Sequence, residues 1–149
     1  MIRKAQITDV KEIQKLLMTF ASRGDMLSRS LSELYESLRD FYVVEEEGVL
    51  LGAAALHIVW EGLAEVRSVA VVEDAGRKGI GSRLVQACIS EAREIGLKRI
   101  FCLTYKPDFF AKHGFSLVDK AELPQKVWGD CIKCPKFPDC DENAMILDL

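Results

Sequence analysis

Long apolar runs are missing from this chain: no stretch of its 149 residues approaches the roughly 20 that a bilayer span requires. The opening residues, MIRKAQITDV, carry no hydrophobic stretch of the secretory kind. Basic excess is missing too. A net charge of -3 and a pI near 5.5 argue against nucleic acid as a primary partner, because that role normally needs a basic patch. Neither common nucleotide fingerprint, GxGxxG or GxxxxGK[ST], occurs, which removes NAD and ATP as first guesses. No internal repeat or low-complexity tract is found. Histidine is scarce; His57 falls mid-strand and His113 near a helix end, and both read as structural or solvent-facing. Five cysteines, an odd number without a secretion signal, point to a reducing compartment. The expected location is the cytoplasm, with no membrane partner.

What is present suits a folded domain. Apolar residues make up 49% and charged residues 29%, enough to bury a core and stay soluble, and 149 residues is the size of one domain, taken here as 1–149. Strands are expected at residues 2–6, 41–45, 49–60, 63–72, 99–104, 115–118 and 144–149, by alternation or by apolar runs between turn residues. Val10, Ile13, Leu17 and Phe20 recur at helical spacing behind a Thr8 cap. Ser30 and Glu33 have the spacing of a capping box before a second helix. Ile80, Leu84, Val85, Cys88, Ile89 and Ala92 line one face of a third, closed by Gly96, and residues 107–112 form a short fourth. Short turns make the first strands antiparallel, and the strand–helix–strand run over 63–104 implies one parallel pair. The expected class is α/β of the α+β type: a mixed, mostly antiparallel sheet with flanking helices.

One stretch needs its own explanation. In EVRSVAVVEDAGRKGIGSRL, residues 65–84, a strand runs through acids and glycines into a helix. Gly79 and Gly81 sit at the helix mouth, where glycine costs about 1 kcal/mol relative to alanine in an interior position. A helix amino terminus offers unpaired N–H groups and partial positive charge, and glycines let a phosphate approach them. Arg77 and Lys78 add cations, so a pyrophosphate is one natural guest; tight packing of the helix on its strand is the other reading.

The segment VAVVEDAGRKGIGSRLV resembles the acetyl-CoA-binding segment of the GNAT N-acetyltransferases, a strand, an R/Q-x-x-G-x-G/A loop and a helix. Gly79-Ile80-Gly81 matches the second half, while Gly76 holds the first position and Arg77 comes one place later. FFAKHGF, residues 109–115, looks like the family's helix ending in GF. The resemblance implies a GNAT fold, acetyl-CoA as co-substrate, direct acetyl transfer to an amine within one ternary complex, and a homodimer. It implies that the backbone of Val69, Ala70 and Val71 leaves its neighbour strand and pairs with the pantetheine amides. It also implies that N–H groups of Arg77, Lys78, Gly79, Ile80, Gly81 and Ser82 hold the pyrophosphate.

Strand alternation places Leu63, Glu65, Arg67, Val69 and Val71 on one face. Glu65 can then take the amine's proton, or simply pair with Arg67 on the surface. Arg67 can grip a substrate carboxylate in bidentate fashion. The family's usual general acid is a tyrosine four residues before the GF glycine; that position is Phe110 here, and Tyr105 is the nearest hydroxyl in sequence, with water as the alternative donor. Residues 103–126 are similar to the acetyltransferase portion of bacterial N-acetylglutamate synthases, which implies L-glutamate as acceptor, the entry to arginine biosynthesis. Lys126, with Lys133 and Lys136, is available to a carboxylate, although Asp141 and Glu142 stand where that group carries basic residues. A regulatory acetyl-CoA-binding domain, or an acetyltransferase for another small amine or a protein, is the alternative. Finally, Cys131, Cys134 and Cys140 form C-x-x-C-x5-C inside an irregular 120–142 segment. A zinc ion with a fourth ligand, a disulfide, a CoA-reactive thiol and a compact loop all fit that spacing, and no metal is assigned.

Overall fold

A computed structural model describes residues 1–73, 79–123 and 142–149. Among the described residues seven strands are formed: β1 (Ile2–Lys4), β2 (Phe41–Glu46), β3 (Val49–Trp60), β4 (Leu63–Val71), β5 (Arg99–Thr104), β6 (Ser116–Val118) and β7 (Asn143–Asp148). They make one sheet in the order β1-β2-β3-β4-β5-β7-β6. Among the described strands only β4 and β5 run parallel, joined through helix α3 (Ile80–Glu94). The other helices are α1 (Val10–Ala21), α2 (Leu31–Glu36) and the short α4 (Pro107–Ala111).

Local chemistry explains most of these boundaries. Glu47 and Gly48 both take positive φ, 52° and 78°, the geometry that a tight β2–β3 hairpin demands. Ser30 and Glu33 form the expected capping box at α2. The expected Thr8 cap is not used: Thr8 lies inside a 3-10 turn (Ile7–Asp9), and Asp9, at the α1 N-cap position, makes no side-chain bond to that helix but closes a capping box on the 3-10 turn with Gln6. Its carboxylate accepts the Gln6 N–H at 2.7 Å and both Arg3 Nη groups at 2.7 and 3.0 Å, more bonds than a threonine hydroxyl could offer. Arg3 holds the buried Asp9 carboxyl below its usual 3.8. A carboxyl lowered on folding adds stability above its unfolded pKa and loses it as pH falls through the folded value. Asp9→Asn should therefore cost about 2 kcal/mol at pH 7, and urea melts should show that gap closing below about pH 4.

Two helical layers cover the sheet. On one face α3 buries Ile80, Leu84, Val85, Cys88, Ile89 and Ala92 against Val44, Ala54, Leu56, Ala64, Val66, Ile100 and Cys102. On the other, Val10, Ile13 and Leu17 of α1 and Leu34 of α2 pack on Phe41, Val43, Ala53, Ala55 and Ala70. Ile100, Phe101 and Cys102 are all buried, as a strand covered on both faces requires. Gly52 marks the closest approach of α3. A Cβ there would lie 3.0 Å from Ile80 Cγ2, 3.0 Å from Leu84 Cδ1 and 3.2 Å from the Ala70 carbonyl oxygen. Gly52→Ala should destabilise the protein by about 1–3 kcal/mol through overpacking, read as a lower urea midpoint at unchanged slope.

Candidate active site

The β3–β4 ladder holds a defect that shapes everything near it. His57 faces Glu65, Leu56 faces Val66 and Ala55 faces Arg67; the next pair is Ala53 with Ala70. Ser68 and Val69 thus share Ala54, and Ser68 sits at φ 56°, a left-handed value rare outside glycine. This is a β-bulge, and one extra residue reverses the alternation beyond it. The expected common face of Leu63, Glu65, Arg67, Val69 and Val71 is therefore corrected. Glu65 and Arg67 stay on the α1/α2 side and Ala70 joins them, while Val69 and Val71 turn to pack on the α3 cluster.

Beyond the bulge β4 also loses its second neighbour. It pairs with β5 only at Leu63–Arg99, Ala64–Ile100 and Glu65–Phe101. From there β5 continues against β7, through Leu103–Ala144 and Thr104–Asn143. Among the described residues, the backbone of Val69, Ala70 and Val71 has a ladder partner on the β3 side alone. A strand edge of this kind can accept an extended chain bearing amides.

Helix α3 begins at the downstream end of that edge. Gly79 is its N-cap at φ 69°, ψ 21°, which L side chains rarely adopt. Gly81 serves differently: Phe109 Cζ lies 3.4 Å from where its Cβ would be, so α4 rests on the first turn of α3. Ile80 is buried, and Ser82 is half-buried on the same turn. Arg77 and Lys78 lie outside the described residues, as do Lys126 and the three cysteines of the C-x-x-C-x5-C run.

On the α1/α2 side of the splay, Glu65 and Arg67 stand two residues apart, Arg67 Nη1 to Glu65 Oε1 being 3.8 Å. Their side chains are only 16% and 14% exposed, so this is no surface ion pair. His57, directly across from Glu65, holds Asp40 Oδ2 at 2.7 Å through Nδ1. Sequence reading missed this pair; Asp40 ends a 3-10 turn (Leu38–Asp40), and only the β2–β3 register brings it beside His57. A half-buried carboxylate, a guanidinium and a hydrogen-bonded imidazole thus face one side of a strand whose edge opens a few residues on. Such a set can bind an anionic group and accept a proton.

The sequence profile of the acetyltransferase (GNAT) family matches residues 9–115. The chain belongs to that family. An uncharacterised N-acetyltransferase of Chlorobaculum tepidum is 38% identical over 99% of this chain and 96% of its own length. The amino-acid acetyltransferase of Mycobacterium tuberculosis is 35% identical over 87% and 75%. Among solved structures, the N-acetylglutamate synthase of Neisseria gonorrhoeae, complexed with coenzyme A and N-acetyl-glutamate, superposes with a TM-score of 0.90 at 29% identity. All of this chain is covered there, but only 35% of the synthase.

As a GNAT N-acetyltransferase, the chain uses acetyl-CoA as co-substrate. Phe110, in place of the family's usual tyrosine, is buried and packs edge-on to Phe109 and Phe115 with centroids 5.1 and 5.3 Å apart. It is a core residue with no hydroxyl to give. Tyr105 is half-buried just past the end of β5. Cys88 and Cys102 are buried on the α3 side, and burial pushes the Cys88 thiol up to about 12 and raises Cys102 as well. Neither is the thiolate that a covalent acetyl-enzyme would need. No cluster of metal-ligating side chains occurs among the described residues.

Proposed function

We propose that this GNAT acetylates the α-amino group of L-glutamate by direct transfer from acetyl-CoA. The observation that carries this reading is the Glu65–Arg67 pair, half-buried on the strand whose bulge and splay expose the cofactor edge. Val69, Ala70 and Val71 supply the backbone groups for the pantetheine amides, and Gly79, Ile80, Gly81 and Ser82, with Arg77 and Lys78, receive the pyrophosphate. A β4 N–H donates to the thioester oxygen and stabilises the oxyanion. Glu65 takes the proton of the α-ammonium, directly or through one water, and the freed amine attacks the carbonyl carbon. The C–S bond breaks, Tyr105 gives its proton to the departing thiolate, and the second proton of the nitrogen, lost as the amide forms, restores Tyr105. Arg67 and Lys126 bind the carboxylates of the amino acid. A relative at 35% identity named amino-acid acetyltransferase and a synthase solved with N-acetyl-glutamate support an amino-acid acceptor. The product would serve arginine biosynthesis in the cytoplasm.

Phe110 favours a second reading, an acetyl-CoA-binding regulatory domain without turnover. A thiol-release assay with acetyl-CoA against the common amino acids separates the two. Glutamate should release CoA well above the blank and above all other amino acids. Release equal to the blank for every amine would favour the regulatory reading.

A further inference from the structure

His113 lies in the turn after α4, half-buried, with both ring nitrogens engaged on α3. Its Nδ1 is 2.7 Å from Gln86 Nε2 and its Nε2 is 3.2 Å from Ser82 Oγ. Its ring meets that of Phe109 in a T-shaped contact, centroids 5.2 Å apart. The chemistry of these partners fixes the direction of each bond. An amide nitrogen only donates, so Gln86 donates to Nδ1, and a neutral ring must carry its proton on Nε2. Nε2–H then donates to Ser82 Oγ. Burial first, and Lys112 second, lower the pKa of His113, which supports the neutral ring. With its oxygen occupied, the Ser82 hydroxyl keeps its hydrogen for a third group.

Ser82 is the third residue of α3, in the turn whose leading N–H groups have no intrahelical acceptor. Helix α4, which carries Phe109 and leads into the turn that holds His113, follows on β5, the strand whose departure from β4 opens the thioester end. We propose that His113 is a positioning residue for the cofactor: it fixes the Ser82 hydroxyl as a hydrogen-bond donor to the pyrophosphate of acetyl-CoA. It thereby ties that end of the site to the helix that follows the thioester end. This rests on the acetyl-CoA reading of the α3 mouth and is independent of which amine is acetylated.

The test is CoA binding by calorimetry on the full chain, which needs no acceptor. His113→Phe keeps the ring against Phe109 and removes both nitrogens. It should weaken CoA about fivefold to tenfold, as should Ser82→Ala, the loss of one hydrogen bond to a charged group. The double variant should bind within about twofold of Ser82→Ala alone, because both changes remove the same bond. His113→Gln, which keeps a donor near the Nε2 position, should stay within about twofold of the unaltered protein. Undiminished CoA binding by His113→Phe or Ser82→Ala, losses that multiply in the double variant, or a His113→Gln as weak as His113→Phe would each overturn the assignment. Should His113→Phe fold poorly, as its melting temperature would reveal, Ser82→Ala and His113→Gln decide alone.

Discussion

Glu65→Gln should lower kcat by about 10²–10⁴-fold, the span of a single general base, and leave CoA affinity within about twofold. Glutamine preserves the shape of the side chain and its place across from His57, but it cannot take a proton from an ammonium. The proposed cofactor contacts lie on the backbone beyond the bulge and on α3, so they should not notice the change. The pH profile carries a second, sharper signature. A base must be deprotonated to work, so the unaltered enzyme loses rate on the acid side as its base is protonated. In Glu65→Gln that acid limb should vanish, leaving a low and flat rate. A variant that kept the acid limb would assign the base to another group, and the residue directly across from Glu65 in the β3–β4 ladder is His57, bonded to Asp40 at 2.7 Å.

Arg67→Leu should raise KM for the amino acid about 100-fold, equivalent to about 2.7 kcal/mol, while kcat should fall less. The guanidinium is 14% exposed, where a charge-assisted pair is weakly screened and worth more than at an open surface. Arg67→Lys should recover only part of the loss, since an ammonium cannot reproduce a planar, two-pronged contact. Steady-state kinetics with the amino acid varied at saturating acetyl-CoA measures both. Equal losses with an uncharged amine as acceptor would mean that Arg67 supports Glu65, 3.8 Å away, and does not bind the substrate carboxylate.

Much of the framework can be read along the chain because it is local. The bounds expected for β3 and β5 coincide with those observed, since each is an apolar run between turn residues. The six apolar positions expected on α3 are the ones buried. The failures arise where one residue changes the count or where distant residues meet. Ser68 carries a positive φ without being glycine, so nothing in the local pattern announces the bulge, and alternation carried past it puts Val69 and Val71 on the wrong face. Asp40 with His57, and His113 with Ser82 and Gln86, are joined by folding across 17 to 31 residues. The glycine pair had two readings, a bare backbone for an anion or close packing, and the two positions differ. Gly79 turns the chain in a left-handed N-cap, while Gly81 faces the ring of Phe109. At 3.4 Å from Phe109 Cζ a Cβ at Gly81 would make an ordinary contact, so packing alone does not require glycine there.

The central claim is a single-step transfer of acetyl from CoA to the α-nitrogen of glutamate. Acetyl-CoA labelled with 13C in the acetyl carbonyl, incubated with the protein and L-glutamate and followed by NMR, tests it most directly. The label should move from the thioester to an amide on the α-nitrogen, one product molecule per CoA released, with no labelled protein when glutamate is omitted. Label that stays in the thioester, or that accumulates on the protein before glutamate is added, would contradict it.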